Sequence, residues 1–173
     1  MLFAPKAIAI GVIVCITSVL GGTAWACPGP KIDVTISVPG SAGPMAAPFF
    51  GTGLLSTHIF VSAHRPLVAT GNGMADFRGS EYPPTGNPQY CPAPADNLAP
   101  GIGCGADLLA RVGNGPWVAV GYGPTCITGQ GRVTLATNDS YYGDNSGAFR
   151  IHLVSAHATH GHTNPVHRIC GTK

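Results

Sequence analysis

The chain has 173 residues, with nine Lys and Arg against seven Asp and Glu, a formal net charge of +2 and no basic cluster. Nucleic acid and anionic membrane surfaces both select for clustered positive charge, so neither is a partner for this composition. Twenty-five Gly and 16 Pro interrupt every apolar run beyond residue 26 before it completes three helical turns, which sets long helices aside.

Residues 1–26 read as a cleaved export signal. Lys6 supplies the positive start, Ala7 to Leu20 form an apolar run of 14, and Ala24-Trp25-Ala26 is a small-x-small cleavage site. A membrane span needs about 20 apolar residues, and this run breaks at Gly21-Gly22, so no span is expected and the protein is expected outside the cytoplasm, secreted, periplasmic or on the cell surface. Cleavage leaves 147 residues, eight basic against seven acidic, enough for one domain with a single core. We divide them into a β domain over 27–155 and a His-rich tail over 156–173.

Strand patterns recur through that domain. Ile32, Val34, Ile36 and Val38 alternate with Asp33, Thr35 and Ser37, as in a sheet with one wet face. Further short runs are His58 to Ala63, Leu67 to Thr70, Leu108 to Val112, Trp117 to Val120, Arg132 to Thr137 and Phe149 to Val154. Short strands separated by Gly and Pro turns predict an all-β, antiparallel sandwich, with Trp117 in its core. Glu81 to Gly103, rich in Pro, Ala and Gly, reads as one long irregular connection.

Cys15 leaves with the signal, so Cys27, Cys91, Cys104, Cys126 and Cys170 remain, an odd number. In an oxidising compartment these are disulfide candidates. Cys91 and Cys104 bracket the irregular loop and are expected to pair, while Cys170 pins the tail to either Cys126 or Cys27. Lipid on Cys27 would make the count even, but the segment lacks the Leu that a lipoprotein signal carries three residues before its cysteine. In the tail, His157, His160, His162 and His167 are spaced closely enough to hold zinc or nickel, though a Gly-containing end offers little rigidity for a tetrahedral set.

The stretch T-N-D-S-Y-Y-G-D-N-S-G-A-F, Thr137 to Phe149, lies between two apolar alternating runs and reads as strand, polar loop, strand. Asn138, Asp139, Asp144 and Asn145 fall within eight residues. Carboxylates, amides and main-chain carbonyls are the ligands a hard cation such as calcium takes, six to eight at a time. The same residue types also serve ordinary tight turns, because they bond to their own backbone.

G-x-V-x-L-x-x-N-D followed by Y-Y-G-D-N-S-G-A-F, with C-G-A-D-L-L-A-R-V-G upstream at Cys104 to Gly113, resembles the calcium-dependent galactophilic lectins of bacteria. The resemblance covers about the second half of the exported chain. It implies a jelly-roll β-sandwich in which calcium bridges protein and sugar. It also implies Asp139, Asp144 and Asn145 as side-chain calcium ligands, Tyr141 as a carbonyl ligand, and a further carbonyl from Thr70 to Gly73. Those lectins also carry a cysteine pair, closer spaced, where Cys91 and Cys104 stand. Two departures matter. The loop is two residues shorter than in the lectins, with Asp144 where they have asparagine, and P-T-G-N-P-Q-Y-C offers no histidine where they use one to touch sugar. Sugar contacts are therefore assigned to Asp139, Asp144, Tyr141, Tyr142 and Gln89.

No enzyme is expected. V-S-A-H at His64 and G-D-N-S-G at Ser146 are superficially similar to trypsin-like surroundings. However, Asn145 is an extra residue in the serine motif, two full barrels do not fit in 147 residues, and G-x-S-x-G is absent. The sequence thus points to a secreted, calcium-binding sandwich that recognises a galactose-type carbohydrate weakly. The alternative is a structural or surface-interaction domain in which calcium only braces the loop.

Overall fold

The computed structural model describes residues 32–62, 65–155 and 169–170. The expected export signal, Cys27, His64 and the four tail histidines lie outside the described residues. Two antiparallel sheets form a β-sandwich. One sheet runs β1 (Asp33–Pro39), β10 (Asn145–Ser155), β3 (Leu67–Phe77), β4 (Ser80–Tyr82), with β8 (Thr125–Ile127) also paired to β3. The other runs β2 (Leu55–Val61), β9 (Gly131–Thr137), β6 (Gly105–Val112), β5 (Thr85–Asn87), with β7 (Val118–Ala119) on β6. No described helix is long and apolar enough to cross a membrane.

Alternation explains the core. Phe149, Ile151 and Leu153 of β10 and Leu67 and Ala69 of β3 face Leu108, Ala110 and Val112 of β6 and Val133 and Leu135 of β9 across the interior. Each large apolar side chain fully buried there contributes about 1.5–3 kcal/mol. The intervening residues on β10, Arg150 and His152, are exposed.

Several expectations need correction. β3 is eleven residues long and continues through Gly71 and Gly73 to Phe77, beyond the expected run from Leu67 to Thr70. Gly71 is a contact point: a Cβ there would stand 2.8 Å from the Pro84 side chain. The span from Glu81 to Gly103 is not one irregular loop. It holds the end of β4, then β5, then a 3-10 turn over Pro88–Tyr90, and is irregular only from Cys91. These elements are three residues each, too short for periodicity to register. Trp117 is half-buried, with the Arg111 guanidinium 4.5 Å above its ring. It stacks at the sandwich surface, so the core assignment fails.

The cysteines pair as Cys91–Cys104 and Cys126–Cys170, which resolves the choice left open for Cys170. Cys126 sits on β8, and Ile169 and Cys170 pack on Val68 of β3.

Topology sets the site. β9 and β10 belong to different sheets, so residues 138–144 cross from one to the other at one end of the sandwich. Asn145 pairs with Phe77, which brings the β3–β4 turn, Arg78-Gly79, to the same end. Both turn residues have positive φ, 57° and 75°, the backbone of the two-residue turn that matches strand twist.

Candidate functional site

Asn138 holds the crossing segment in place. Its side chain is fully buried and accepts from the Ala99 N–H at 2.9 Å. Its amide donates to the carbonyls of Ala99, Ile102 and Cys104 at 2.9–3.3 Å. The Asn138 carbonyl in turn accepts from the Ala106 N–H at 2.7 Å and from Asn97 Nδ2 at 2.8 Å. One side chain therefore ties the Cys91–Cys104 loop to the acidic turn, with further support from the Leu98 N–H on the Asp139 carbonyl.

Asp139 follows, partly buried. Oδ1 accepts from the Ser140 N–H at 2.7 Å and Oδ2 from Asn145 Nδ2 at 2.9 Å. Burial raises its carboxyl above the ordinary range, and the neighbouring Asp144 charge adds to the rise. Donors from Asn145, Ser140 and Tyr141 oppose it. Asn145 Nδ2 also donates to the Gly40 carbonyl at 3.1 Å, whereas Asn145 Oδ1 is buried without a hydrogen-bond partner among the described residues. Asp144 is more open and accepts from Arg78 Nε at 3.1 Å.

This donor set suits a hard cation in its chemistry, being carboxylate, amide and carbonyl oxygen without nitrogen or sulfur. The orphaned Asn145 oxygen fits a ligand role, since a buried acceptor without a partner costs about 1–3 kcal/mol. Among the described residues no three or more His, Cys, Asp or Glu side chains gather as a metal centre, so a cation here draws on amide and main-chain oxygen. Those carbonyls cannot come from Thr70 to Gly73. These residues pair with His152 to Phe149, whereas Asn145 faces Phe77, and four residues of strand at ~3.3 Å each put even Gly73 about 13 Å away. The main chain beside Asn145 is the Phe77 end of β3.

A cleft of about 380 Å³ opens beside this turn. Asp139, Ser140 and Tyr141 form one wall, Arg78, Ser80 and Tyr82 of the β3–β4 hairpin another, and Asn87 and Tyr90 of the 3-10 turn with Asp96 and Asn97 of the disulfide-closed loop a third. Asn87 is fixed because its side chain caps the 3-10 turn, accepting from the Gln89 N–H at 2.9 Å.

The predicted sugar contacts separate. Asp139 and Tyr141 line the cleft, and Asp144 reaches its edge through Arg78. Gln89 is exposed on the 3-10 turn, and its neighbours Asn87 and Tyr90 face the cleft in its place. Tyr142 is 1% exposed and offers no face to a ligand. Its hydroxyl donates to the Thr137 carbonyl at 2.5 Å, and burial pushes its pKa up. Gly43 lies against the ring so closely that a Cβ would overlap it. Sequence reasoning missed Arg78, Tyr82, Asn87 and Tyr90, which are far from the acidic turn in the chain; the one available signal was Asn87 before Pro88, an N-cap ahead of a turn.

No protein-family model matches the chain, and no curated protein matches it. Among solved structures it is similar to the N-terminal domain of EclA, described as a PllA-like lectin, at 20% identity over 73% of this chain and 98% of that one, with a TM-score of 0.48.

Proposed function

We propose that the protein is an exported, non-enzymatic carbohydrate-binding β-sandwich. The carrying observation is the composition of the cleft. Three tyrosines, Tyr82, Tyr90 and Tyr141, alternate with Asn87, Asp96, Asn97, Asp139, Ser140 and Arg78 around about 380 Å³. A pyranose has apolar C–H faces and a rim of hydroxyls that both donate and accept. Aromatic faces take the former, and planar amide and carboxylate groups take the latter two at a time. The volume is that of a small-ligand site.

Calcium belongs to the same reading. Asp139, Asp144 and Asn145, with the Tyr141 carbonyl, would hold it, and the ion would supply open positions for two vicinal hydroxyls of a galactose-type sugar. These protein ligands number fewer than six unless the carboxylates bind through both oxygens, which leaves that room. Export agrees with the two disulfides, Cys91–Cys104 and Cys126–Cys170, since such bridges persist in oxidising compartments.

One observation favours the structural alternative. Both Asp139 oxygens already accept hydrogen bonds within the turn, and Asp144 is held by Arg78, so calcium could brace the turn without meeting a ligand. Titration calorimetry with monosaccharides, in calcium and in chelator, separates the two. We expect a Kd of about 0.1–1 mM for a galactose-type sugar, or about 4 to 5.5 kcal/mol, lost in chelator and in Tyr90→Ala. Absence of binding by any hexose at tens of millimolar leaves the bracing role.

A further inference from the structure

Beyond the cleft, the connection between β1 and β2 carries an exposed aromatic in a costly backbone. Phe50 has a φ of 54° and is 55% exposed. A bulky residue in the left-handed region is rare and persists only where surrounding structure imposes it. That structure is evident in the loop's hydrogen bonds. Gly51 N–H bonds the Pro44 carbonyl at 2.7 Å, Thr52 N–H the Ser41 carbonyl at 2.9 Å, and Gly53 N–H the Gly43 carbonyl at 2.9 Å. The Tyr142 N–H bonds the Phe49 carbonyl at 2.7 Å, which fastens the loop to the acidic turn. Phe50 is therefore held outward by a rigid frame, with its apolar surface in water.

The ring meets the site through Tyr141. The two rings lie edge to face with centroids 5.9 Å apart, and Tyr141, 42% exposed, is itself a cleft-lining residue. One aromatic surface thus continues from the cleft, over Tyr141, onto Phe50. Two residues beyond Phe50 in the chain, the hydroxyl of exposed Thr52 makes a 3.4 Å contact with that of half-buried Ser41.

We propose that Phe50 and Tyr141 form a second subsite, so that the ligand is an oligosaccharide whose terminal ring enters the cleft and whose next ring stacks on Phe50. This rests on the carbohydrate reading above and sharpens it. A second pyranose suits the place better than a lipid tail because the neighbouring turn carries Asp139 and Asp144. It also suits it better than a lone apolar group, because a pyranose places hydroxyls at the rim of the face it stacks.

The test is calorimetric, with calcium present, using methyl glycosides and a panel of disaccharides ending in the same sugar on wild type, Phe50→Ala and Phe50→Trp. Stacking of one ring predicts that the best disaccharide binds about tenfold tighter than its methyl glycoside in wild type. Phe50→Ala brings that ratio to about one with the methyl glycoside Kd unchanged, and Phe50→Trp restores it. A ratio indifferent to Phe50→Ala overturns the subsite while leaving the cleft standing. Equal weakening of both ligands by Phe50→Ala also overturns it, placing Phe50 in the primary site. Binding to phosphatidylcholine vesicles that Phe50→Ala abolishes overturns it in favour of a lipid surface. If no sugar binds wild type, subsite and carbohydrate reading fall together.

Discussion

Asp107 on β6 provides the most direct test of how the cleft's supporting loop is held. The residue is 3% exposed. Its Oδ2 accepts from the Cys104 N–H at 2.7 Å, and its Oδ1 is buried without a hydrogen-bond partner among the described residues. Burial outweighs the Cys104 hydrogen bond and raises the carboxyl from 3.8 to about 6. An acid whose folded pKa lies above its unfolded value binds protons more tightly when folded. Stability from this group is therefore present below pH ~4 and is lost as pH rises through ~6. At about 1.36 kcal/mol per unit, the loss at pH 7 is about 3 kcal/mol. Asp107→Asn removes the charge, keeps an oxygen for Cys104 N–H and places an N–H₂ donor where the orphaned oxygen stands. The Gly105 carbonyl is close by, since it and Asp107 Oδ1 each lie 2.4 Å from the position a Gly86 Cβ would take. Urea unfolding of wild type and Asp107→Asn from pH 4 to pH 7.5 should show the variant gaining relative to wild type as pH rises, by about 2 kcal/mol over that range because part of the change lies below pH 4, with nearly all of it between pH 4 and 6.5. A difference between the two proteins that stays constant across that range would refute the assignment.

Four further outcomes follow from the same geometry. Asn138→Ala leaves the Ala99 N–H and three carbonyls without their side-chain partner, so we expect a loss of about 3 kcal/mol in denaturant unfolding, with a change below about 1 kcal/mol contradicting its role. Replacing Cys91 and Cys104 by Ser opens a loop of sequence separation 13 and should cost about 3 kcal/mol in the chain-entropy account, visible as early proteolytic cleavage between residues 91 and 104; unchanged cleavage would show that the hydrogen bonds to Asn138 and Asp107 hold the loop without the disulfide. Calcium at a hundredfold excess over its Kd should stabilise the fold by about 2.7 kcal/mol, read as a higher melting temperature than in chelator, and identical midpoints at millimolar calcium would remove the metal from the proposal. Gly43→Ala should destabilise the acidic-turn end by several kcal/mol because its Cβ overlaps the Tyr142 ring; wild-type stability in that variant would mean the ring can move aside.

What the sequence determined by itself was whatever depends on local period and local chemistry. Alternation over Ile32 to Val38, Arg132 to Thr137 and Phe149 to Val154 states a sheet with two unlike faces, because side chains on a strand alternate irrespective of which strand lies beside it. The concentration of acid and amide from Asn138 to Asn145, and the bracketing of a Pro-rich loop by Cys91 and Cys104, are likewise plain in the chain. Tertiary structure alone decided which of those groups face outward and what they face. Tyr141 and Tyr142 are adjacent and alike in composition, yet one lines the cleft and the other fills the interior against Gly43, since the crossing between sheets turns one ring out and the next one in. Asn138 looks like one more polar turn residue until pairing brings Ala99, Ile102 and Cys104, between 34 and 39 positions away in sequence, to its amide. The cleft itself exists only because the register of β10 on β3 sets Asn145 opposite Phe77 and so carries the Arg78 turn to the acidic turn. Register is a property of two strands together, fixed by which apolar faces are buried against the opposing sheet, and no single stretch of the chain encodes it.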